Sequence, residues 1–229
     1  MTTKLAKSAV SQKRVLDAAA KIFRDYGYAG TTMRVIADEA DLKAGSIYYH
    51  YKSKDELISA VLDLGIHAVI DTVNAALEAL PPEATGRQRI ETAIYAHLSA
   101  IINNGDYTLA TRRVFGQVPE AIREKNLRLR YSYAAMWQEI LTDAQNRGEF
   151  RADANVTLAR LFILGALNWT VEWYKPGRQS IDEVARSFAS VVLDGLLDPS
   201  SAVALDSSLT ADQKPDAYVP RAKAVKQSR

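Results

Sequence analysis

The chain has no cysteine, three histidines, seven prolines and few aromatics. Each shortage excludes something. Without cysteine there is no disulfide framework, zinc ribbon, iron–sulfur cluster or thiol nucleophile. His50, His67 and His97 lie far apart and make no HxxxH or HExxH spacing, so no metal site is expected. No apolar run reaches the roughly 18–20 residues that a membrane span needs. The opening MTTKLAKSAVSQKR lacks the apolar core of a secretory signal, which points to the cytoplasm. GxGxxG, P-loop and GxSxG patterns are absent, so neither a cofactor nor a catalytic group is expected.

What remains, at 48% apolar and 24% charged, is an ordinary soluble composition over 229 residues. The net charge of +2 hides a polarity. Residues 1–60 carry a net +3, residues 61–198 a net −3 and residues 199–229 a net +2. Lys4, Lys7, Lys13 and Arg14 occur before any acid. A basic leading part on an acidic body suggests an anionic partner, most commonly nucleic acid, although a solvated basic tail has the same composition.

Apolar residues recur every three or four positions between sparse prolines, and no strict alternation or Asn-Gly hairpin signal occurs. The chain is expected to be all-α, with helices near 11–26, 32–40, 43–51, 54–79, 87–103, 106–115, 120–147, 153–174 and 181–197. Gly27 suits the end of the first and Thr31 the N-cap of the second. Ser53 and Glu56 have capping-box spacing at the start of the fourth. The expected organisation is a basic arm (1–10), a three-helix head (11–56), a larger helical domain (57–198) and a disordered tail (199–229).

Three short helices with a tight turn between the second and third have helix-turn-helix proportions. The third, from Lys43 to Tyr51, is unusual as a purely structural helix. Ala44, Gly45 and Ser46 are small enough for close approach to base edges. Lys43, Tyr48, Tyr49, His50 and Tyr51 offer cationic and hydrogen-bonding groups to phosphate, and Ile47 faces the core.

The stretch from Gly30 to Ala40, followed by Gly45-Ser46-Ile47-Tyr48-Tyr49-His50-Tyr51-Lys52-Ser53-Lys54-Asp55-Glu56-Leu57, resembles the TetR (tetracycline-repressor-like) family of bacterial transcription regulators. The resemblance implies a homodimeric repressor without enzymatic activity. Its head would bind an inverted-repeat operator in double-stranded DNA, and its C-terminal domain would dimerise and bind a small hydrophobic effector. On this resemblance Thr32 and Tyr49 contact phosphate, and Lys43, Ala44, Gly45 and Tyr48 face base edges. Lys54 clamps a phosphate at the start of the long helix. His50 lies at the backbone or hydrogen-bonds within the head, and Arg34 is a phosphate contact or a surface charge. An activator or a ligand-independent regulator has the same sequence signature. A helical enzyme or carrier using the C-terminal cavity is the remaining alternative.

Polar groups on the apolar faces of the C-terminal helices are the candidate effector contacts: His97, Asn103, Arg112, Arg113, Tyr131, Trp137 and Asn168. The last two helices form a hairpin with broad apolar faces. Phe162, Gly165, Trp169, Val184, Phe188, Val191 and Leu196 are expected to pair two subunits as a four-helix bundle. The segment Asn168–Gly177 with Leu193–Leu196 is similar to a subgroup of TetR regulators of fatty-acid and steroid catabolism, several of which respond to acyl-CoA thioesters. On that resemblance Arg112, Arg113, Arg123, Arg128 and Arg130 would receive CoA phosphates; a solvated helix face is the alternative.

Overall fold

The computed structural model describes residues 2–194, and side chains from residue 8 onward. Among these residues there are nine α-helices and no strand. They are α1 (Thr2–Tyr26), α2 (Met33–Glu39), α3 (Ala44–His50), α4 (Lys54–Glu78), α5 (Gly86–Asn103), α6 (Gly105–Val114), α7 (Glu120–Asn146), α8 (Val156–Trp173) and α9 (Ile181–Asp194). No helix among the described residues is long and apolar enough to cross a membrane. The expected tail and Leu196 lie outside the described residues.

The first helix is longer than expected. Residues 2–10 continue it and do not form a separate arm. They contain neither Pro nor Gly, so nothing stops a helix already nucleated by the buried Val15, Ala19, Ile22 and Phe23 from propagating backwards. Gly27, at φ +71, ends it. Thr32, not Thr31, caps α2, its side chain accepting from Val35 N–H. Thr31 is buried and donates its hydroxyl to Gly27 O at 2.6 Å. At α4, Ser53 caps Glu56 N–H as expected, but Glu56 reaches back to Lys52 N–H at 2.7 Å. The full capping box is at α5, between Thr85 and Gln88.

Two apolar cores share α4. The first gathers α1, α2, α3 and the start of α4 around Phe23, Ile36, Ile47 and Ile58, and it takes in Tyr107, Ala110 and Val114 of α6. The second joins the rest of α4 to α5, α7, α8 and α9 around Ile94, Leu98, Trp137, Leu141 and Leu167. α4 and α6 cross at Gly65, where an added Cβ would lie 3.5 Å from Thr111 Oγ1 and 3.6 Å from Tyr107 Cβ. The head is therefore tied to the body by a shared core, and α6 stands between them.

Candidate nucleic-acid interface and cavity

α3 is held by one apolar anchor. Ile47 is fully buried, whereas Lys43, Ala44, Gly45, Tyr48 and Tyr49 are exposed and Ser46 and His50 partly so. The turn before it places Asp41 at φ 50, a conformation that Asp tolerates better than most residues. Arg14 fixes that turn by donating to Ala40 O at 2.7 Å. This role was missed in the sequence, where Arg14 counts only as a basic charge. A Cβ at Gly45 would meet nothing within 4 Å. The fold therefore does not need glycine there, and the open space lies outside the helix.

The other head residues divide. Thr32 and Arg34 are exposed on α2. Tyr51, grouped with the phosphate contacts by sequence, is 5% exposed and accepts from Gln12 Nε2 at 3.2 Å, so it belongs to the core. His50 Nε2 lies 3.1 Å from Ser11 Oγ, which gives its ring an internal partner. Lys54 is only partly exposed. Its ammonium donates to Tyr28 O at 2.9 Å and lies 4.1 Å from the Tyr28 ring centroid. Tyr28 in turn hydrogen-bonds Asp55, and burial first, then Asp55, pushes its phenol up to about 12. Lys54 thus helps hold the α1–α2 loop against α4, a structural part beside any contact with phosphate.

Below the head, α4, α5, α6, α7 and α8 line a cavity of about 630 Å³ that is open to solvent on one side. His97, Arg112, Tyr131 and Asn168 of the expected contacts line it. Three do not. Asn103 is exposed on α5, Arg113 points to the head side near Gly27 and Gln117, and Trp137 is fully buried behind His97, ring centroids 6.4 Å apart. The 3.6-residue period explains this. Arg113 sits one residue, about 100°, from Arg112 and so belongs to another face.

Sequence reading also missed contributors. Arg160, Tyr133, Thr108, Thr111 and Phe115 line the cavity, and Arg130 of the expected arginine cluster lines it with them. No Asp or Glu does. Arg112 is neutralised by Glu172 at 3.0 Å and stacks on Trp169 at 4.0 Å. Arg130 and Arg160 have no carboxylate partner among the described residues. Arg160 donates to Gln138 Oε1 at 3.0 Å, and Arg130 donates to Asn126 Oδ1 at 2.8 Å and lies 5.0 Å from the Phe115 ring centroid. Partial burial holds the Arg130 guanidinium below its usual pKa, and a half-buried cation without a carboxylate partner favours an anion nearby. Asn126 is itself buried and donates to Leu62 O on α4 at 3.2 Å. The remaining members of the expected arginine cluster lie elsewhere: Arg123 pairs with Glu120 at 3.2 Å, and Arg128 is exposed.

His97 is 2% exposed. Its Nδ1 is 2.8 Å from Tyr133 Oη, and its Nε2 has no hydrogen-bond partner among the described residues. Burial pushes its pKa down to about 4, with Asn168 opposing weakly.

The outer face of α8 is apolar. Leu158, Leu161, Phe162, Trp169 and Trp173 are 41–61% exposed, and a Cβ at Gly165 would meet nothing within 4 Å. Val191 continues the face on α9, and Phe188 packs against Trp173 with the rings tilted and centroids 6.2 Å apart. Val184 departs from expectation. It is 3% exposed and packs inside its own subunit, because it falls on the face of α9 that α5 covers.

Residues 15–61 match the family of bacterial regulatory proteins of the tetR type, and residues 83–196 match the tetracyclin repressor-like C-terminal domain. The chain is 30% identical over 201 residues to the HTH-type transcriptional repressor KstR2 of Rhodococcus jostii, covering 81% of this chain and 90% of that protein. PfmR, a TetR family regulator of Thermus thermophilus, superposes with a TM-score of 0.72 at 27% identity, over 81% of this chain and 96% of its own. AibR, solved with isovaleryl coenzyme A and operator DNA, shares the fold with a TM-score of 0.70 at 20% identity, over 80% and 98%.

Two outcomes are expected. Gly45→Leu should leave the thermal midpoint nearly unchanged, since nothing packs there, while abolishing specific DNA binding in a mobility-shift assay. His97 should make stability depend on pH. Its proton is bound more tightly unfolded, near the ordinary 6.5, than folded, near 4. Stability from this group is complete above about pH 6.5 and falls as pH drops toward 4, by at most about 1.4 kcal/mol per pH unit. Denaturant titrations should show that slope in the wild type and a flatter difference curve in His97→Gln.

Proposed function

Because the chain belongs to the TetR family of DNA-binding regulators, which are not enzymes, we propose that it is a cytoplasmic homodimeric repressor released from its operator by a small hydrophobic anion. The observation that carries this reading is the division of faces on α6. Tyr107, Ala110 and Val114 enter the head core, while Thr108, Thr111 and Arg112 line the cavity. A ligand that displaces α6 or α4 therefore acts on the head directly.

The DNA surface is α3, with Lys43, Ala44, Gly45, Ser46 and Tyr48 at base edges. Thr32, Arg34, Tyr49, His50 and Lys54 are placed around it for phosphate contacts. Two heads enter successive major grooves about 34–36 Å apart. The dimer forms through Phe162, Gly165 and Trp169 of α8 with Phe188 and Val191 of α9. An exposed apolar face of this extent favours burial against a second copy.

An acyl-CoA thioester is the effector class with most support. The cavity is mainly apolar, Arg130 and Arg160 are uncompensated, and AibR shows that the same fold accommodates such a thioester together with DNA. An anionic group drawn to Arg130 competes with its bond to Asn126, which holds the Leu62 carbonyl of α4. The effector then favours a different head spacing, a population shift set by its differential affinity.

A mobility-shift assay on the inverted repeats beside the gene tests this reading. The wild type should bind one of them specifically, and decanoyl-CoA should release it. Arg130→Gln should need about tenfold or more decanoyl-CoA for the same release, and Phe162→Glu should be monomeric by sedimentation and bind weakly. No specific binding to any inverted repeat would reject the repressor. Release unchanged in Arg130→Gln would reject the anion contact.

A further inference from the structure

We propose that the Nε2–H of His97 recognises a carbonyl oxygen on a ligand held in the cavity between α4 and α8. This deepens the effector reading and rests on it only for the regulatory consequence.

The argument is one of proton placement. Tyr133, 7% exposed, has one hydrogen-bond partner among the described residues, His97 Nδ1 at 2.8 Å. If Nδ1 carried the proton and donated to the phenol oxygen, the phenol proton would have no acceptor and Nε2 would be an unpaired lone pair. Two buried polar groups would then be unsatisfied. If the phenol donates to Nδ1, only one is left, the Nε2–H. The Trp137 indole Nε1 has no hydrogen-bond partner among the described residues in either arrangement, so it does not alter this balance. The ring is uncharged near neutral pH, since burial holds its pKa near 4.

His97 therefore contributes a fixed donor whose Nε2 has no hydrogen-bond partner among the described residues, with Asn168 beside it on the cavity wall. Its orientation is set by Tyr133, whose ring stacks on it at 5.8 Å, and by the edge of Trp137. A carbonyl suits such a donor better than a hydroxyl, whose own proton would need an acceptor. The ligand chemistry implied is an apolar body that carries a carbonyl oxygen into the cavity. A ketone and a thioester both provide that oxygen.

The three histidines make the test direct. In full-length protein with 15N-labelled histidine, His97 is assigned by its loss in His97→Gln. We expect the Nε2–H tautomer in the wild type and a mixture of tautomers in Tyr133→Phe. Cyclohexanone or S-ethyl thiohexanoate should move the Nε2–H resonance, whichever responds naming the carbonyl source, and methylcyclohexane should not. The responding probe should bind about tenfold more weakly to His97→Phe. A wild-type Nδ1–H tautomer overturns the proposal. So does an Nε2–H that answers all probes alike, or none because a resident water holds it. Operator affinity, measured in parallel, separates the two readings. A carbonyl probe that engages His97 while decanoyl-CoA leaves the operator complex intact refutes the effector reading and leaves this site standing. An unresponsive His97 with decanoyl-CoA still releasing the operator does the reverse.

Discussion

Everything in this molecule turns on α6 having no face to spare. It is only ten residues long, and one side completes the apolar core of the head while another walls the cavity. Hydrogen bonds reinforce both attachments. Tyr107 donates to Asp17 of α1 at 2.8 Å, Asp106 pairs with Arg24 of α1, and Gln117 just beyond α6 accepts from Tyr28 N–H at 3.0 Å. A close-packed interior does not deform continuously, so on the proposed function a change of volume or charge in the cavity would pass through α6 to α1 and the turn that Arg14 holds. α4 is the second link, entering the head at Lys54 and the cavity at Gly65, Ile66 and Val69.

Electrostatics divide the work along the same line. The head carries its cations outward, where exposed Lys43 and Arg34 remain hydrated and would meet a phosphate at little desolvation cost. The cavity carries cations inward without counter-charge, where desolvation makes an anion valuable. Arg112 shows the contrast, since Glu172 already satisfies it and Trp169 covers it. The small net charge of the chain thus conceals a basic head and an acidic body whose cavity nonetheless holds Arg130 and Arg160 without carboxylate partners among the described residues.

Most of the helical framework was legible in the sequence because apolar periodicity and Pro/Gly punctuation are local signals. Eight helices end within about three residues of expectation at their described ends, and α1 differs because a basic, apolar-poor segment gives no sign of being helical beyond its core. The head surface was legible for the same reason: Ile47 is the one large aliphatic residue in a run of small and aromatic ones. The cavity was legible only in part. Whether Arg112 or Arg113 turns inward depends on how α6 is rotated against α1, and that is fixed by contacts some 90 residues apart in sequence, such as Tyr107 with Asp17. Tyr133 and Asn126 look like ordinary positions on α7 until their partners on α5 and α4 are known. Val184 shows the same limit, since an apolar stripe does not say which neighbour covers it.

The central claim is that cavity and head share one mechanical element, so occupying the first moves the second. A chain without cysteine allows a single spin label per subunit, placed by Asp38→Cys on the exposed side of α2. Pulsed dipolar distances between the two heads of the dimer then report the spacing directly. The account predicts one narrow distribution with operator bound and a displaced one when decanoyl-CoA has released it. An effector that binds in the cavity and releases the operator while leaving that distribution unchanged would contradict it.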